Sequence, residues 1–238
     1  MNLLAIIPAR EGSRGIPNKN SALAAGKPLI VWTIECALAS AVVDMALVST
    51  DSRALADLAR ASGAHVPFLR PAELARDDTP GIAPVLHAIE WMRDNRGVTP
   101  RYVVVLQPTS PLRIPADVEA AMTLALKVNA DSVVSVTPAP SHPCWMKILD
   151  ADGRMTDFLP RMEIPFRRQD LPEVYALNGA IYLGRTEMVL RTGGWYSERT
   201  YGYVMPPERS LDVDTAWDLH LADLVLRERH EERKDTDR

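Results

Sequence analysis

The chain begins with an unbroken apolar run at residues 3–7, which Pro8 brings to an end. An apolar run without polar alternation is typical of a strand buried on both faces, and such strands belong to parallel sheets covered by helices on both sides. A segment with helical spacing of its apolar residues follows at 30–41, and a second short apolar run at 45–49. This alternation of strand and helix patterns predicts an α/β fold with right-handed crossovers.

The same alternation continues along the chain and predicts one domain over residues 1–226. Further strands are predicted at residues 65–69, 101–106, 132–136, 178–183 and 201–205, and helices around Leu55, around Ile89, at 115–128, at 186–190 and around Leu221. Asp51 precedes the helix around Leu55 and is predicted to cap it. Residues 227–238 are almost all charged, so they are expected to form a disordered tail.

One segment departs from the alternation. Between residues 138 and 175 prolines recur and large apolar residues are scattered without a period, while Asp150, Asp152 and Gly153 indicate a hairpin turn. Large apolar groups with no helix to cover them need another surface to pack on. The segment is therefore predicted to be a small β-rich arm inserted in the domain, packing on a second subunit of a homodimer.

Composition narrows the class of protein. The 238 residues carry a formal net charge of −4, which argues against nucleic-acid binding, since that function needs a basic face. No apolar run approaches the ~18 residues of a membrane-spanning helix, so no membrane association is expected. Cys36 and Cys144 are the only cysteines and lie in unrelated contexts, which favours a reduced, cytoplasmic protein.

The loop after the first strand concentrates small and basic residues. Arg10, Ser13, Arg14 and Lys19 are accompanied by Gly12 and Gly15. In an open α/β sheet, ligands bind outside the carboxyl ends of the strands, where small residues let backbone amides approach an anion that the basic side chains neutralise. The pattern indicates a polyphosphate site, although neither the P-loop motif nor a GxGxxG string occurs.

Asp212 and Asp214 form the second group with a chemical interpretation. On extended backbone their side chains point to one side, because residues two apart share a face. Mg²⁺ takes one or two carboxylates together with phosphate oxygens, so the pair is a candidate Mg²⁺ site. The alternative is a capping role, with Asp214 as the N-cap of the last helix and Asp212 in solvent.

Several motifs together resemble one enzyme family. The opening PARxxSxGxPxKN, formed by residues 8–20, resembles that of the acylneuraminate cytidylyltransferases, which make CMP-activated sialic acids. Similar segments follow in the family's order as VSTD, RPAEL, LQPTSPLR, NGAIY and DVDTAWDL. The resemblance implies a three-layer, Rossmann-like nucleotidyltransferase fold with a mostly parallel sheet. It also implies transfer of CMP from CTP to the anomeric hydroxyl of a nine-carbon acidic sugar, with release of pyrophosphate.

The resemblance also implies residue roles. Arg10, Lys19, Asp212 and Asp214 would be catalytic, with the two aspartates holding Mg²⁺. The CTP-binding set would be Arg10, Ser13, Arg14, Lys19, Asn20 and Arg70. The acidic sugar would meet Gln107, Arg168 and Tyr182, and the planar guanidinium of Arg168 suits a carboxylate. No residue is singled out as the base that deprotonates the sugar hydroxyl.

One departure bears on the substrate. Many members that activate sialic acid carry an arginine two residues before the asparagine of NGAIY, where this chain has Ala176. The chain resembles more the bacterial branch that activates relatives such as legionaminic acid. A 3-deoxy-manno-octulosonate cytidylyltransferase is an alternative, against which Thr109 and Ser110 stand where that family has acidic residues. A catalytically inactive nucleotide-binding module is the alternative from another class.

Overall fold

A six-stranded sheet forms the centre of the protein in the computed structural model, which describes residues 1–13, 15–159, 167 and 170–236, with side chains up to 232. Its strands are β1 (Leu3–Pro8), β4 (Met45–Ser49), β5 (Tyr102–Val105), β6 (Ser132–Pro138), β9 (Tyr175–Arg185) and β10 (Thr200–Val204). Two short antiparallel pairs lie outside it, β2 (Leu23–Ala24) with β3 (Lys27–Pro28), and β7 (Lys147–Leu149) with β8 (Met155–Asp157).

The sheet is parallel except for one strand. Its order is β10-β6-β9-β5-β1-β4, with β1 parallel to β4 and β5, and β10 parallel to β6. Strand β9 runs antiparallel to both of its neighbours, β5 and β6. The predicted α/β fold with a mostly parallel sheet is confirmed. The carboxyl ends of β1, β4 and β5 consequently meet at one edge of the sheet.

Helices cover both faces of the sheet and make a three-layer architecture. The helices are α1 (Leu29–Ala39), α2 (Arg53–Ala61), α3 (Ala83–Arg96), α4 (Pro115–Lys127), α5 (Thr186–Thr192) and α6 (Ala216–Thr236). Along β1, Leu3, Ala5 and Ile7 pack against α1, α2 and α4, whereas Leu4 and Ile6 pack against α3 and α5. Successive side chains of a strand point to opposite faces, so an apolar run without alternation fills both layers. No helix in the described part of the chain is long and apolar enough to cross a bilayer.

Two local predictions in the first half of the chain are wrong. Helix α2 is capped by Ser52, whose hydroxyl accepts from the Leu55 amide, while Asp51 accepts from the Glu11 amide at 3.0 Å and so holds the loop after β1. Residues 65–69 do not form a strand, and only His65 pairs with β4. Pro67 has no N–H to continue such a ladder.

The predicted disordered tail is also wrong for residues 227–236, which continue helix α6. Arg227 pairs with Asp223 one turn earlier at 2.7 Å, and Arg229 donates to the carbonyl oxygens of Leu112 and Glu208 at 2.9 and 3.0 Å. Charge density predicted disorder because it shows no apolar face. Here contacts between oppositely charged side chains and with distant backbone stabilise the helix instead.

The predicted β-rich arm contains the β7–β8 hairpin, and Gly153 turns it with a φ of 80°. Large apolar side chains of this segment are exposed in the single chain. They are Trp145, Met146, Ile148, Leu149, Met155 and Phe158. Residues 160–166, 168 and 169 of the arm lie outside the described part of the structure.

Candidate active site

The loop after β1 is anchored at the carboxyl edge of the sheet. Its first residue, Ala9, donates its amide to the carbonyl oxygen of Ser49 at the end of β4, at 2.9 Å. The buried Asn20 side chain donates to the Arg10 carbonyl oxygen at 2.7 Å. Asn20, predicted to lie near the nucleoside, therefore also fixes the backbone that carries Arg10.

An open cavity of about 570 Å³ lies at this edge. Four of the residues predicted from sequence, Arg10, Arg70, Gln107 and Tyr182, line it together. Arg10 and Gln107 follow the ends of β1 and β5, and Tyr182 lies on β9, where it pairs with Val105. Arg70 comes from the segment after α2 and is held at the end of β4 by its amide, which donates to the Thr50 carbonyl oxygen at 2.7 Å. The sheet topology thus brings together side chains that are up to 172 positions apart, from Arg10 to Tyr182.

Arg70 lies at the base of this cavity. Its Nε donates to the Ser49 hydroxyl at 3.0 Å, and its Nη2 donates to the Ser49 carbonyl oxygen. Burial lowers the pKa of Arg70 to about 10, against the opposing effect of Asp51. The guanidinium is therefore still protonated at neutral pH and supplies a positive charge in a poorly solvated position, where charge interactions are strong.

Arg10 is held by an acidic residue that sequence reasoning did not single out. Its Nη1 donates at 2.5 Å to Asp77, which lies in the segment between α2 and α3. Both side chains are partly exposed. An anionic ligand that binds Arg10 would compete with this carboxylate.

Lys19 and Asp214 form a second ion pair beside the cavity. The Lys19 ammonium donates to Asp214 Oδ1 at 2.8 Å. A Cβ at Gly15 would overlap the carbonyl oxygen of Asp214, so the loop after β1 packs backbone to backbone on the segment before α6. Glycine is needed there because no side chain fits at that approach.

Asp212, two residues before Asp214, has a half-buried side chain. Its Oδ1 is inaccessible to solvent and has no hydrogen-bond partner among the described residues. Burial raises the pKa of the Asp212 carboxyl above its usual range, while the Thr109 hydroxyl opposes the shift and Asp214 adds to it. A buried carboxylate oxygen without a partner costs free energy, which a bound cation would offset.

The aspartate pair fits a Mg²⁺ ion that is shared with a substrate. Among the described residues no cluster of three or more His, Cys, Asp and Glu side chains could hold a metal by itself. Mg²⁺ does not need such a cluster, because it keeps several waters and uses phosphate oxygens as ligands. The capping alternative for Asp214 fails, since Thr215 exchanges hydrogen bonds with Asp218 at the start of α6.

Gly179 joins the cavity to the aspartate pair. It has a φ of 71°, and a Cβ built on it would lie 3.2 Å from Asp212 Oδ2 and 3.8 Å from Gln107 Oε1. The pairing of β9 with β6 is irregular at this point, between Val134 and Val136. Ser135, between them, donates to Asn178 Oδ1 at 2.6 Å and accepts from the Ile181 amide at 2.8 Å. A β-bulge of this kind re-aims side chains beside functional sites.

The structure leaves two of the predicted residues untested, because Arg14 and Arg168 lie outside the described residues. Ser13 is described and is partly exposed in the same loop as Arg10. The polar and aromatic residues that line the cavity but were not predicted as site residues include Arg76, Asp77, Trp195 and Tyr196. Residues 70–84 form a long polar segment, which is a local signal of a functional loop, whereas Trp195 beside Gly193 and Gly194 carries no such signal.

Comparison with known proteins identifies the family of this chain. A family model described as cytidylyltransferase matches residues 4–229. The chain is 37% identical over 227 residues to the CMP-N,N'-diacetyllegionaminic acid synthase of Legionella pneumophila, covering 95% of this chain and 97% of that protein. The chain belongs to the cytidylyltransferase family. It is a nucleotidyltransferase of the acylneuraminate cytidylyltransferase type, as its motifs implied.

Two further relatives and one solved structure are also similar to this cytidylyltransferase. It is 36% identical to the N-acylneuraminate cytidylyltransferase of Streptococcus agalactiae over 90% of its own length, which is 51% of that longer protein. It is 29% identical to the pseudaminic acid cytidylyltransferase of Campylobacter jejuni over 97% of its own length and 99% of the relative. Its fold matches a structure of CMP:2-keto-3-deoxy-manno-octonic acid synthetase complexed with CTP, with a TM-score of 0.71, 19% identity, and coverage of 96% of this chain and 100% of the other.

Proposed function

We propose that this cytidylyltransferase transfers CMP from CTP to the anomeric hydroxyl of a nine-carbon acidic sugar of the legionaminic acid type, and that it does so in the cytoplasm. The proposal is carried by the position of Gly179, which lies between Gln107 of the cavity and Asp212 of the aspartate pair. A sugar in the cavity and a phosphate at the aspartates would then meet at one point. Both cysteines are free thiols, in keeping with a reducing compartment.

The choice of sugar rests on the relatives and on Ala176. The relative with 37% identity is named for diacetyllegionaminic acid. Ala176 lies on β9 opposite Thr137, two residues before the buried Asn178. An arginine in that position would add a positive charge near the site, and its replacement by a methyl group favours a sugar with different substituents from sialic acid.

The reaction needs positioning and charge neutralisation rather than a covalent intermediate. The anomeric oxygen attacks the α-phosphorus of CTP, the new bond to phosphorus forms, and pyrophosphate leaves from the opposite side. Arg10, Ser13, Arg14 and Lys19 would hold the phosphates of CTP. Asn20 would lie near the nucleoside, and Arg70 would contribute to the nucleotide pocket. Gln107 and Tyr182 would contact the sugar, and Arg168 would pair with its carboxylate.

Mg²⁺ is proposed as the cofactor, held by Asp212 and Asp214. When bound, it would neutralise charge on the phosphates of CTP and of the departing pyrophosphate. Lys19 is already paired with Asp214, so its ammonium would lie close to a phosphate that binds beside the metal-holding carboxylates. Two cations, Mg²⁺ and the ammonium, would then neutralise the group that accumulates negative charge.

A homodimer formed through the arm is the further part of this proposal. The hairpin and its flanks expose Trp145, Ile148, Leu149, Met155 and Phe158 in one stretch of 14 residues, 145–158. Apolar side chains of this size at a surface are characteristic of protein interfaces. A second copy of the chain is the occupant proposed for this surface.

Pyrophosphate release with CTP and Mg²⁺ tests the proposed function. N-acetylneuraminate, legionaminate, pseudaminate and 3-deoxy-manno-octulosonate are compared, and mass spectrometry identifies the products. We expect the highest kcat/KM with the diacetylated legionaminate. A preference for 3-deoxy-manno-octulosonate would refute the nine-carbon class, and CTP binding without turnover of any sugar would leave a nucleotide-binding module.

A further inference from the structure

A second cavity, of about 520 Å³, shares no lining residue with the candidate active site. Its walls are α1, the last turns of α6, and the chain at residues 111–115 and 208–209. The tail that was predicted to be disordered contributes Arg229 and His230 to it. Nothing in the proposed reaction uses this cavity.

Arg113 lines the cavity and is 4% exposed. Its guanidinium donates to neutral oxygens, namely Ala180 O at 2.6 Å, Thr33 Oγ1 at 3.0 Å and Gln107 O at 3.4 Å. Its Nε has no nitrogen or oxygen partner in the described part of the chain. Buried guanidinium groups usually face a carboxylate, because an uncompensated buried charge is costly.

The groups around Arg113 do not neutralise it. The buried Asp117 carboxylate is already paired with Arg209, at 3.0 Å, and accepts from the Tyr203 hydroxyl as well. The Cys36 thiol lies beside the guanidinium, but burial raises the pKa of Cys36 and outweighs the lowering effect of Arg113. The thiol is therefore uncharged at neutral pH, and an anion at the cavity floor would find an unpaired cation.

The other side of the cavity offers aromatic surface. The rings of Trp32, from α1, and His230, from α6, lie with centroids 5.1 Å apart and an interplanar angle of 38°. Glu35 and Glu208 also line the cavity. Glu35 is paired with Lys27 at 2.5 Å, and Glu208 interacts with Arg209, which lines the cavity as well. The Lys27 ammonium lies 4.1 Å from the centroid of the Trp32 ring, so a flat ring can pack against Trp32 only on the side toward His230, with its acidic group pointing to Arg113.

We propose that this cavity is a second ligand site, which takes a small planar aromatic anion and whose occupancy alters the sugar-binding end of the active site. Arg113 connects the second cavity to the active site. The same guanidinium that would bind the anion holds Gln107 through its carbonyl oxygen, and it holds Ala180, the residue after Gly179. A ligand that draws the guanidinium toward the cavity weakens these contacts and moves Gln107 relative to Asp212.

Calorimetric titration with 1-anilinonaphthalene-8-sulfonate tests the proposal, with CTP at saturation to occupy the active site. N-phenyl-1-naphthylamine, which has the same rings without the sulfonate, tests the requirement for an anion. The variant Ala39→Trp places an indole in the cavity from the exposed last residue of α1. The matched control, Ala61→Trp, makes the same change at the exposed last residue of α2.

We expect one sulfonate probe to bind per wild-type chain. Its affinity should be at least 10-fold lower for Ala39→Trp and unchanged for Ala61→Trp. The uncharged probe should bind the wild type at least 10-fold more weakly than the sulfonate probe does. In the wild-type enzyme the sulfonate probe should change KM for the sugar by 3-fold or more, and in Ala39→Trp it should not. Equal binding to both tryptophan variants would overturn the site, and equal binding of both probes would overturn the role of Arg113. Binding without a change in KM would overturn the connection to the active site.

Discussion

Lys19 and Asp214 are 195 positions apart in the chain, yet the ammonium of one donates to the carboxylate of the other at 2.8 Å. The contact joins the loop after the first strand to the segment before the last helix. The lysine side chain is largely buried, while that of the aspartate is mostly exposed. The ammonium proposed to bind phosphate and the carboxylate proposed to bind Mg²⁺ are therefore held at one place.

Replacement of Lys19 is the first prediction. Lys19→Met removes a charge that is expected to stabilise the leaving pyrophosphate, so kcat/KM for CTP should fall by about 100-fold. Steady-state pyrophosphate release measures the effect. Lys127→Met, an exposed position at the end of α4, is the control and should retain activity. A loss of less than 3-fold in Lys19→Met would mean that Lys19 serves only to orient Asp214.

Gly179→Ala should inactivate the enzyme by filling the space between Asp212 and Gln107. Gly26→Ala is the matched control, because Gly26 has a φ of 76° and open space around its Cβ position. Both variants carry the backbone strain of an alanine at positive φ, about 1 kcal/mol. We expect kcat to fall by about 100-fold only in Gly179→Ala, with similar losses of Tm in both. Equal activities would show that the space at Gly179 is not used.

Asp212→Asn should raise the stability of the metal-free protein and lower its catalytic activity. Because burial raises the pKa of Asp212, its charged form is disfavoured by the folded protein at neutral pH. The uncharged amide should therefore raise Tm in metal-free buffer and reduce turnover by about 100-fold or more. Mg²⁺ with CTP should raise the Tm of the wild type and not that of the variant. A lower Tm in metal-free Asp212→Asn than in wild type would contradict this account, and the exposed Asp57→Asn provides the baseline.

Protonation of His87 should lower the stability of the folded protein in mild acid. Burial lowers the pKa of His87, Glu90 opposes this, Arg70 adds to it, and Glu73 opposes it weakly. The unfolded chain then binds the proton more tightly than the folded one, so stability falls as pH drops below about 6.5 toward the lowered value. His87→Leu should flatten the decline of Tm between pH 7 and 5.5, whereas the exposed His65→Leu should not. Parallel Tm curves for wild type and His87→Leu would exclude this role.

The end of α6 should contribute to stability although it is highly charged. Arg229→Ala removes two hydrogen bonds to the carbonyl oxygens of Leu112 and Glu208, and the free energy of unfolding should fall by about 1–3 kcal/mol. Arg227→Ala removes only an exposed pair with Asp223, which should change the free energy of unfolding much less, because water screens an exposed pair. Urea denaturation measures both. Equal losses of unfolding free energy in the two variants would mean that the last turns of α6 do not pack on the domain.

Much of the fold followed from patterns within short stretches of sequence. The apolar run of β1 predicted a strand buried on both faces, and the structure divides its side chains between two helical layers. The basic loop after β1 and the paired aspartates were recognisable because each is local in the chain. The position of the basic loop followed from the rule that ligands bind outside the carboxyl ends of the strands in an open α/β sheet.

Other features depended on residues that are distant in the chain. The sequence does not show that Asp77 pairs with Arg10, that Trp195 lines the cavity, or that Arg229 holds α6 against Leu112.

The sequence by itself therefore determined the fold class and the chemical groups of the site, because strand burial and loop charge are written in consecutive residues. Tertiary structure alone decided that β9 runs antiparallel with a bulge at Ser135, and that Gly179 consequently faces Asp212 and Gln107. It also decided that Arg113 is buried and has no carboxylate hydrogen-bond partner among the described residues. The physical reason is that strand direction, bulges and charge compensation depend on which neighbours the packed chain supplies, and no local pattern specifies them.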